Sequence, residues 1–171
     1  RVLVVVPPYD DPKSYGRSWV DTRVQVACLP RPKYDALPLV GPLHTQWSLA
    51  KRAVEVSDEW RPEIVHVFKP KAVSGLAQMF LWCRQNRPAI VLDTDDWEGR
   101  TGWSRYEDYS RWMVEVFERQ ERAGLTRCHA ITAVSAVLEN RARELPHPVG
   151  VLRIPNGYDS QTYTAWDPDE D

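Results

Sequence analysis

The sequence lacks an excess of either charge. Lysine and arginine total 22 against 24 acidic residues, a formal net charge of −2, so no bulk field draws the chain to nucleic acid or to an anionic membrane. Long apolar runs are missing too. Stretches such as Val2–Val6 fall far short of a membrane span, and no signal-peptide pattern is visible. Cysteine is scarce: Cys28, Cys83 and Cys128 stand far apart with no CxxC spacing, which suggests neither a zinc site nor a disulfide framework and predicts small buried thiols in a reducing compartment. A cytoplasmic location is expected. The eight glycines, at 16, 41, 75, 99, 102, 124, 150 and 157, form neither GxGxxG nor GxxxxGKS/T, so no conventional dinucleotide or Walker site is encoded. HExxH and GxSxG are absent as well.

What is present is the make-up of an ordinary globular domain: 171 residues, 43% hydrophobic and 27% charged, enough for a sizeable core. RVLVVVPP (1–8) is an aliphatic run stopped by prolines, the pattern of a strand buried on both faces. TRVQVACLP (22–30) alternates as a second strand, with a loop or short helix between the two. Leu43, Trp47, Ala50 and Val54 recur at helical spacing and predict a helix to about Trp60 with that face in the core. RPEIVHVFKP (61–70) is a strand framed by prolines, KAVSGLAQMFLWCRQN (71–86) a helix, and Ala89–Asp93 the fourth strand. GRTGWSRYEDYS begins as a loop and joins a long helix, in which Trp112, Met113, Val116, Phe117 and Gln120 form a stripe expected to be buried. Strand (127–135), helix (136–145) and strand (149–155) complete the series. Such alternation argues for an α/β fold, a Rossmann-like open parallel sheet flanked by helices. The chain opens on Arg1 with strand residues already under way and closes on DPDED after a turn-like NGYD. We therefore expect a piece of a longer protein, with a domain over 1–160 and the start of a linker at 161–171.

Ligands of open parallel sheets sit beyond the carboxyl ends of the strands. Those ends read PPYDDPKSYG (7–16), HVFKPKAVSG (66–75), DTDDWEG (93–99), VSAV (134–137) and IPNGYD (154–159). Lys69 and Lys71 flank Pro70 at a helix start, where free N–H groups and the helix dipole also favour anions. They make either a cationic pocket for phosphate or carboxylate, or a solvated helix start. Asp93, Asp95 and Asp96 cannot all be buried unpaired. They either cap loop N–H groups or present a carboxylate to a substrate hydroxyl, with Trp97 as an apolar platform, and crowded carboxylates also suit acid/base work. His66 is expected to be a hydrogen-bonded core histidine, Ser135 a helix N-cap, and Asn156-Gly157 a turn. Trp47 and Trp112 fall on predicted core faces, whereas Trp97 and Trp103 fall near the crevice.

Four segments, VHVFKPKAVSGLA, IVLDTDDWEG, AITAVSAVLENRARE and VLRIPNGYD, occur in the order and approximate spacing of the amino-terminal domain of glycosyltransferase family 4, which the chain resembles over roughly residues 60–160. The last two are the most specific, a Ser-initiated helix after "ITAVS" and a strand ending in "IPNG" plus a hydrophobic residue and Asp. The resemblance implies one half of a two-Rossmann GT-B enzyme. That enzyme would be a retaining glycosyltransferase of hexosyltransferase type, moving a sugar from a nucleotide-sugar donor to a sugar, polyol or lipid-linked acceptor. It implies no metal and no cofactor besides the nucleotide-sugar co-substrate. It also implies a carboxyl-terminal domain of the same chain, carrying a Glu-x7-Glu donor site beyond Asp171, without which this half should not turn over. A lipid-linked acceptor would bring peripheral association with the inner face of the membrane; no nucleic-acid partner is implied. By position the family's His-Asp pair falls on Asp95 and Asp96, expected to be catalytic, the His being replaced by Asp95. Lys69, Lys71, Trp97 and Glu98 are expected to bind the acceptor. Gly16 is the remnant of a Gly-Gly loop after the first strand and is expected near the donor phosphate, although the interval to the second strand is short for a full helix.

Other classes share parts of this pattern. Haloacid-dehalogenase-like phosphatases also follow a strand with DTD, but they require a later lysine, and all five lysines here (13, 33, 51, 69 and 71) precede Asp93. Asp93-Thr94-Asp95 has the DxD spacing that holds a divalent metal on a nucleotide diphosphate in a second transferase type. The non-enzyme alternative is a standalone α/β ligand-binding domain.

Overall fold

The computed structural model of the chain describes residues 1–9, 11–33, 41–146 and 149–157; Tyr158 to Asp171, and with them the expected linker, lie outside the described residues. Seven strands and four α-helices are present among them: β1 (Leu3–Val6), β2 (Ser18–Asp21), β3 (Val24–Cys28), α1 (Gly41–Trp60), β4 (Ile64–Phe68), α2 (Ala72–Trp82), β5 (Ala89–Thr94), α3 (Arg111–Thr126), β6 (Ala130–Ala133), α4 (Ala136–Arg143) and β7 (Gly150–Arg153). β4-β5-β6-β7 form a parallel sheet in sequence order, as the alternation of strand and helix predicts. Where the sequence predicts a loop or short helix, a 3-10 turn at Pro12–Ser14 is followed by β2, which pairs antiparallel with β3. Together with the parallel β1–β3 ladder it makes a separate mixed sheet, ordered β1-β3-β2. The interval is too short for a crossover helix but long enough for a hairpin strand.

Helix α2 is the wall shared by both halves. One core cluster packs Val67, Ile90, Leu92 and Ile131 of the parallel sheet with Leu81 and Leu125; the other packs Leu29, Leu49, Ala50 and Val73. Ala77 and Phe80 of α2 touch both. Right-handed crossovers between strands laid down in sequence order put α2, α3 and α4 on one face of the β4–β7 sheet. The alternation follows: Ile90, Leu92 and Ile131 are fully buried, whereas Ile64, Phe68 and Leu152 on the other face are each more than 60% exposed. The expectation of a strand buried on both faces fails for β1, where Val4 is exposed, and β4 and β7 are likewise open on one side.

The same open face takes His66, which is hydrogen-bonded as predicted but exposed. Leu43, Trp47 and Trp112 are also more than half exposed, so they lie outside the predicted core stripes; Ala50, Val54 and Phe117 hold those stripes instead. Cys28 and Cys128 are buried and free, and burial pushes the Cys128 thiol up to about 11, while Cys83 sits exposed at the end of α2.

Helices α2 and α3 close around Pro70, and glycine permits it. A methyl group on Gly75 would come within 2.7 Å of the Pro70 carbonyl oxygen, and one on Gly124 would overlap the Pro70 ring and lie 2.9 Å from Gln78 Oε1. Gln78, fully buried, donates from Nε2 to the carbonyls of Gly124 (2.8 Å) and Arg127 (3.0 Å), closing the carboxyl end of α3. Gly124→Ala should therefore overpack this joint and cost about 1–3 kcal/mol. Equilibrium denaturation measures it, and an unchanged midpoint would mean that Pro70 is not pinned there.

Candidate functional site

The loops after β4 and β5 meet at the carboxyl edge of the parallel sheet, as register dictates: Phe68 is opposite Asp93, and Lys69 N–H donates to the Asp93 carbonyl (3.3 Å). The β4–α2 loop is held in an uncommon backbone shape. Lys69 and Ala72 both have positive φ (53°), a region that residues with a Cβ rarely enter. The Ser74 hydroxyl reaches the Lys69 and Lys71 carbonyls, and Gln120 Oε1 accepts from Ala72 N–H at 2.9 Å. That last contact occupies one of the helix-start amides that could otherwise favour an anion, so the amino end of α2 is capped in part by the protein itself.

The two lysines have different fates. Lys71 runs inward to Glu98 at 2.8 Å, with side chains 17% and 3% exposed, and its ammonium lies 4.8 Å from the ring centroids of both Tyr109 and Phe117. Ser104 Oγ donates to the same Glu98 oxygen at 2.9 Å. Lys71 and Glu98 thus neutralise each other inside the protein, where a ligand would have to break their pair to reach either charge. Lys69 stays half-exposed and pairs with Asp96, with Asp95 Oδ2 at 3.5 Å. Partial burial works to lower the Lys69 ammonium, but the hydrogen bond to Asp96 and the charges of both aspartates outweigh it and raise it above its ordinary value.

A second buried pair supports the acidic loop from below. Glu121 of α3 accepts from the Glu98 backbone N–H (3.1 Å) and binds Arg141 of α4 through both oxygens (3.2 and 3.4 Å). Burial raises the Glu121 carboxyl above its ordinary range and lowers Arg141, and their attraction recovers only part of that cost. Arg141 then stacks on Trp97, its guanidinium carbon 3.5 Å from the ring centroid. One face of the expected aromatic platform is covered by a protein side chain. Gly99 turns the loop at φ +84°, and a methyl on Gly102 would collide with the Trp97 carbonyl, so the chain folds back closely here.

Asp95 Oδ1 is buried with no hydrogen-bond partner in the protein. Asp93 does not join it. Its Oδ1 accepts from the Thr132 hydroxyl, so the DxD pair does not close as a clasp, and among the described residues no three His, Cys, Asp or Glu side chains gather as metal ligands. Gly16 stands elsewhere. At φ +71° it lines an open cleft of about 360 Å³ with Leu3, Ser18, Cys28, Arg52 and Trp60, none of them in the Lys69–Glu98 cluster. Ser135 caps α4 as predicted, accepting from Leu138 N–H at 3.3 Å. Trp103 is exposed and donates to Glu107 (3.1 Å). Sequence reasoning missed Ser104, Glu121 and Arg141 and gave Gln120 only a place in the buried stripe; the available signal was a polar Gln-Glu pair one turn beyond buried Phe117.

A Rossmann-like α/β half with its charged residues collected at the strand carboxyl ends is the fold of one lobe of a GT-B enzyme. The chain belongs to the glycosyl transferase 4-like domain family, which it matches over residues 1–157. No curated protein matches it at a significant level. No helix among the described residues is long and apolar enough to cross a membrane.

Breaking the Lys71–Glu98 pair strands a buried charge, so Lys71→Met and Glu98→Gln should each cost about 3–5 kcal/mol, and the double variant clearly less than their sum. Additive losses in a denaturation cycle would refute the coupling. Glu121 gives a pH test. With its carboxyl raised above 4.5, the native state keeps a proton that the unfolded chain releases, so stability at this site falls as pH climbs from 4.5 through the raised value. Glu121→Gln cannot lose that proton and should gain stability relative to the parent across the same window; a relative loss would show that the buried charge is favoured.

Proposed function

We propose that this chain is the acceptor-binding half of a retaining glycosyltransferase, of hexosyltransferase type, that takes its sugar from a nucleotide-sugar donor held by a carboxyl-terminal domain and is inactive without that domain. Family membership supplies the reaction class. The observation that carries the acceptor assignment is the cluster of Lys69, Asp95 and Asp96, with Asp95 Oδ1 left as an unsatisfied acceptor beside a lysine. An uncompensated carboxylate oxygen is costly, and a ligand hydroxyl that donates to it removes the cost. Asp95 and Asp96 orient the acceptor hydroxyl, and Lys69, released from Asp96, meets an acceptor phosphate such as that of a lipid-linked sugar. Lys71, Glu98 and Trp97 hold the loop in shape for that contact.

The roles assigned here use no metal and no cofactor besides the nucleotide-sugar co-substrate. Gly16 keeps its proposed role near the donor phosphates only if the second domain closes over the β1 side. Peripheral attachment to a cytoplasmic membrane face accompanies the lipid-linked form of the acceptor.

Asp96→Asn in the intact protein should lower sugar transfer by about 100-fold or more, within the range of a lost positioning or acid/base group. Lys69→Ala should raise the acceptor KM about tenfold, roughly 1.4 kcal/mol, and leave the donor KM unchanged. Kinetics with both substrates varied decide it. A larger effect on the donor KM would move Lys69 out of the acceptor site.

A further inference from the structure

The face of the β4–β7 sheet that α2, α3 and α4 leave open carries one ordered chain of polar side chains. Asp93 of β5 and Thr132 of β6 are register partners, and the Thr132 hydroxyl donates to Asp93 Oδ1. His66 reaches from β4 across β5 and places Nε2 3.2 Å from Thr132 Oγ1. Threonine has a single proton to give. Because Asp93 takes it, His66 Nε2 must donate to Thr132. The ring proton therefore sits on Nε2, and Nδ1 is left as the end with a lone pair to offer.

The order carboxylate, hydroxyl, imidazole excludes a nucleophile triad, in which the imidazole would accept the hydroxyl proton and the carboxylate would hold the other ring nitrogen. Metal binding has no support, since no set of three ligating side chains gathers among the described residues. An oriented acceptor beside an aromatic ring remains. Phe68, 65% exposed, lies 4.6 Å from His66 between centroids, with the planes at 35°. An apolar ring with an oriented hydrogen-bond acceptor on the neighbouring side chain suits a sugar or cyclic polyol, whose C–H face packs on the aromatic while a hydroxyl donates to the nitrogen. Phe68 adjoins Lys69, and Asp93 lies two residues before Asp95, so the patch continues the acidic loop down the sheet face.

We infer that His66 and Phe68, oriented by Thr132 and Asp93, form a second carbohydrate subsite, in which His66 Nδ1 accepts a ligand hydroxyl and Phe68 stacks on the ring. The ligand class rests on the proposed function; the tautomer does not. Long-range 1H–15N spectra of the neutral imidazole should show His66 as the Nε2–H tautomer. That preference should be lost in Thr132→Val and kept in Thr132→Ser. Glucose and myo-inositol, each titrated to millimolar concentration, should shift the ring signals of His66 and Phe68. The response should persist in Asp96→Asn and disappear in Phe68→Ala. An Nδ1–H tautomer in the parent protein overturns the inference. So do sugars that shift Trp97 and the acidic loop while leaving His66 and Phe68 untouched, an outcome that keeps the transferase reading intact. If neither place responds, the carbohydrate reading of the crevice falls as well.

Discussion

Two carboxylates, Glu98 and Glu121, are buried at the carboxyl edge of the parallel sheet, and the arrangement of that edge depends on the cations that compensate them. Lys71 answers Glu98 and Arg141 answers Glu121, while the Glu98 backbone N–H joins the two pairs. Burying two carboxylates against partly buried cations gains little net stability, because desolvation cancels most of the Coulomb term. Its effect is on geometry. Each charge restricts where its partner's main chain can lie, so the β4–α2 loop, the β5 loop, α3 and α4 are tied into one unit at the point where ligands of such sheets bind.

The consequence is a division of labour within one short acidic segment. Glu98 faces inward and anchors; Asp95 and Asp96 are left at the surface with Lys69. The strained φ values of Lys69 and Ala72 survive because Ser74, Gln120 and the glycine seat of Pro70 hold the loop from three sides. A cluster fixed in this way presents its carboxylates without waiting for a ligand to organise them.

The open sheet face has a different character from the edge. Helices α2, α3 and α4 follow strands laid down in order and so share one side, which leaves His66, Asp93 and Thr132 on the other. Polar groups on that side bond to each other across three strands instead of to a covering helix. The same crossover rule thus accounts for both the buried aliphatic face and the ordered polar one.

Local pattern determined much of this protein. Aliphatic runs between prolines, helical spacing of apolar residues and the order of strand and helix were enough to predict the parallel sheet, its helices, the Ser135 cap and the loops that carry charge, because those features depend on neighbours in the chain. Four short segments in order sufficed to indicate the family. Tertiary structure alone decided which lysine would be buried, since Lys69 and Lys71 are chemically equal and only the docking of Glu98, Tyr109 and Phe117 distinguishes them. It also decided that Trp47 and Trp112 would stand in solvent, that Arg141 would cover Trp97, and that His66 would face outward. Periodicity marks the faces of an element; which face is covered depends on long-range packing that no local window contains.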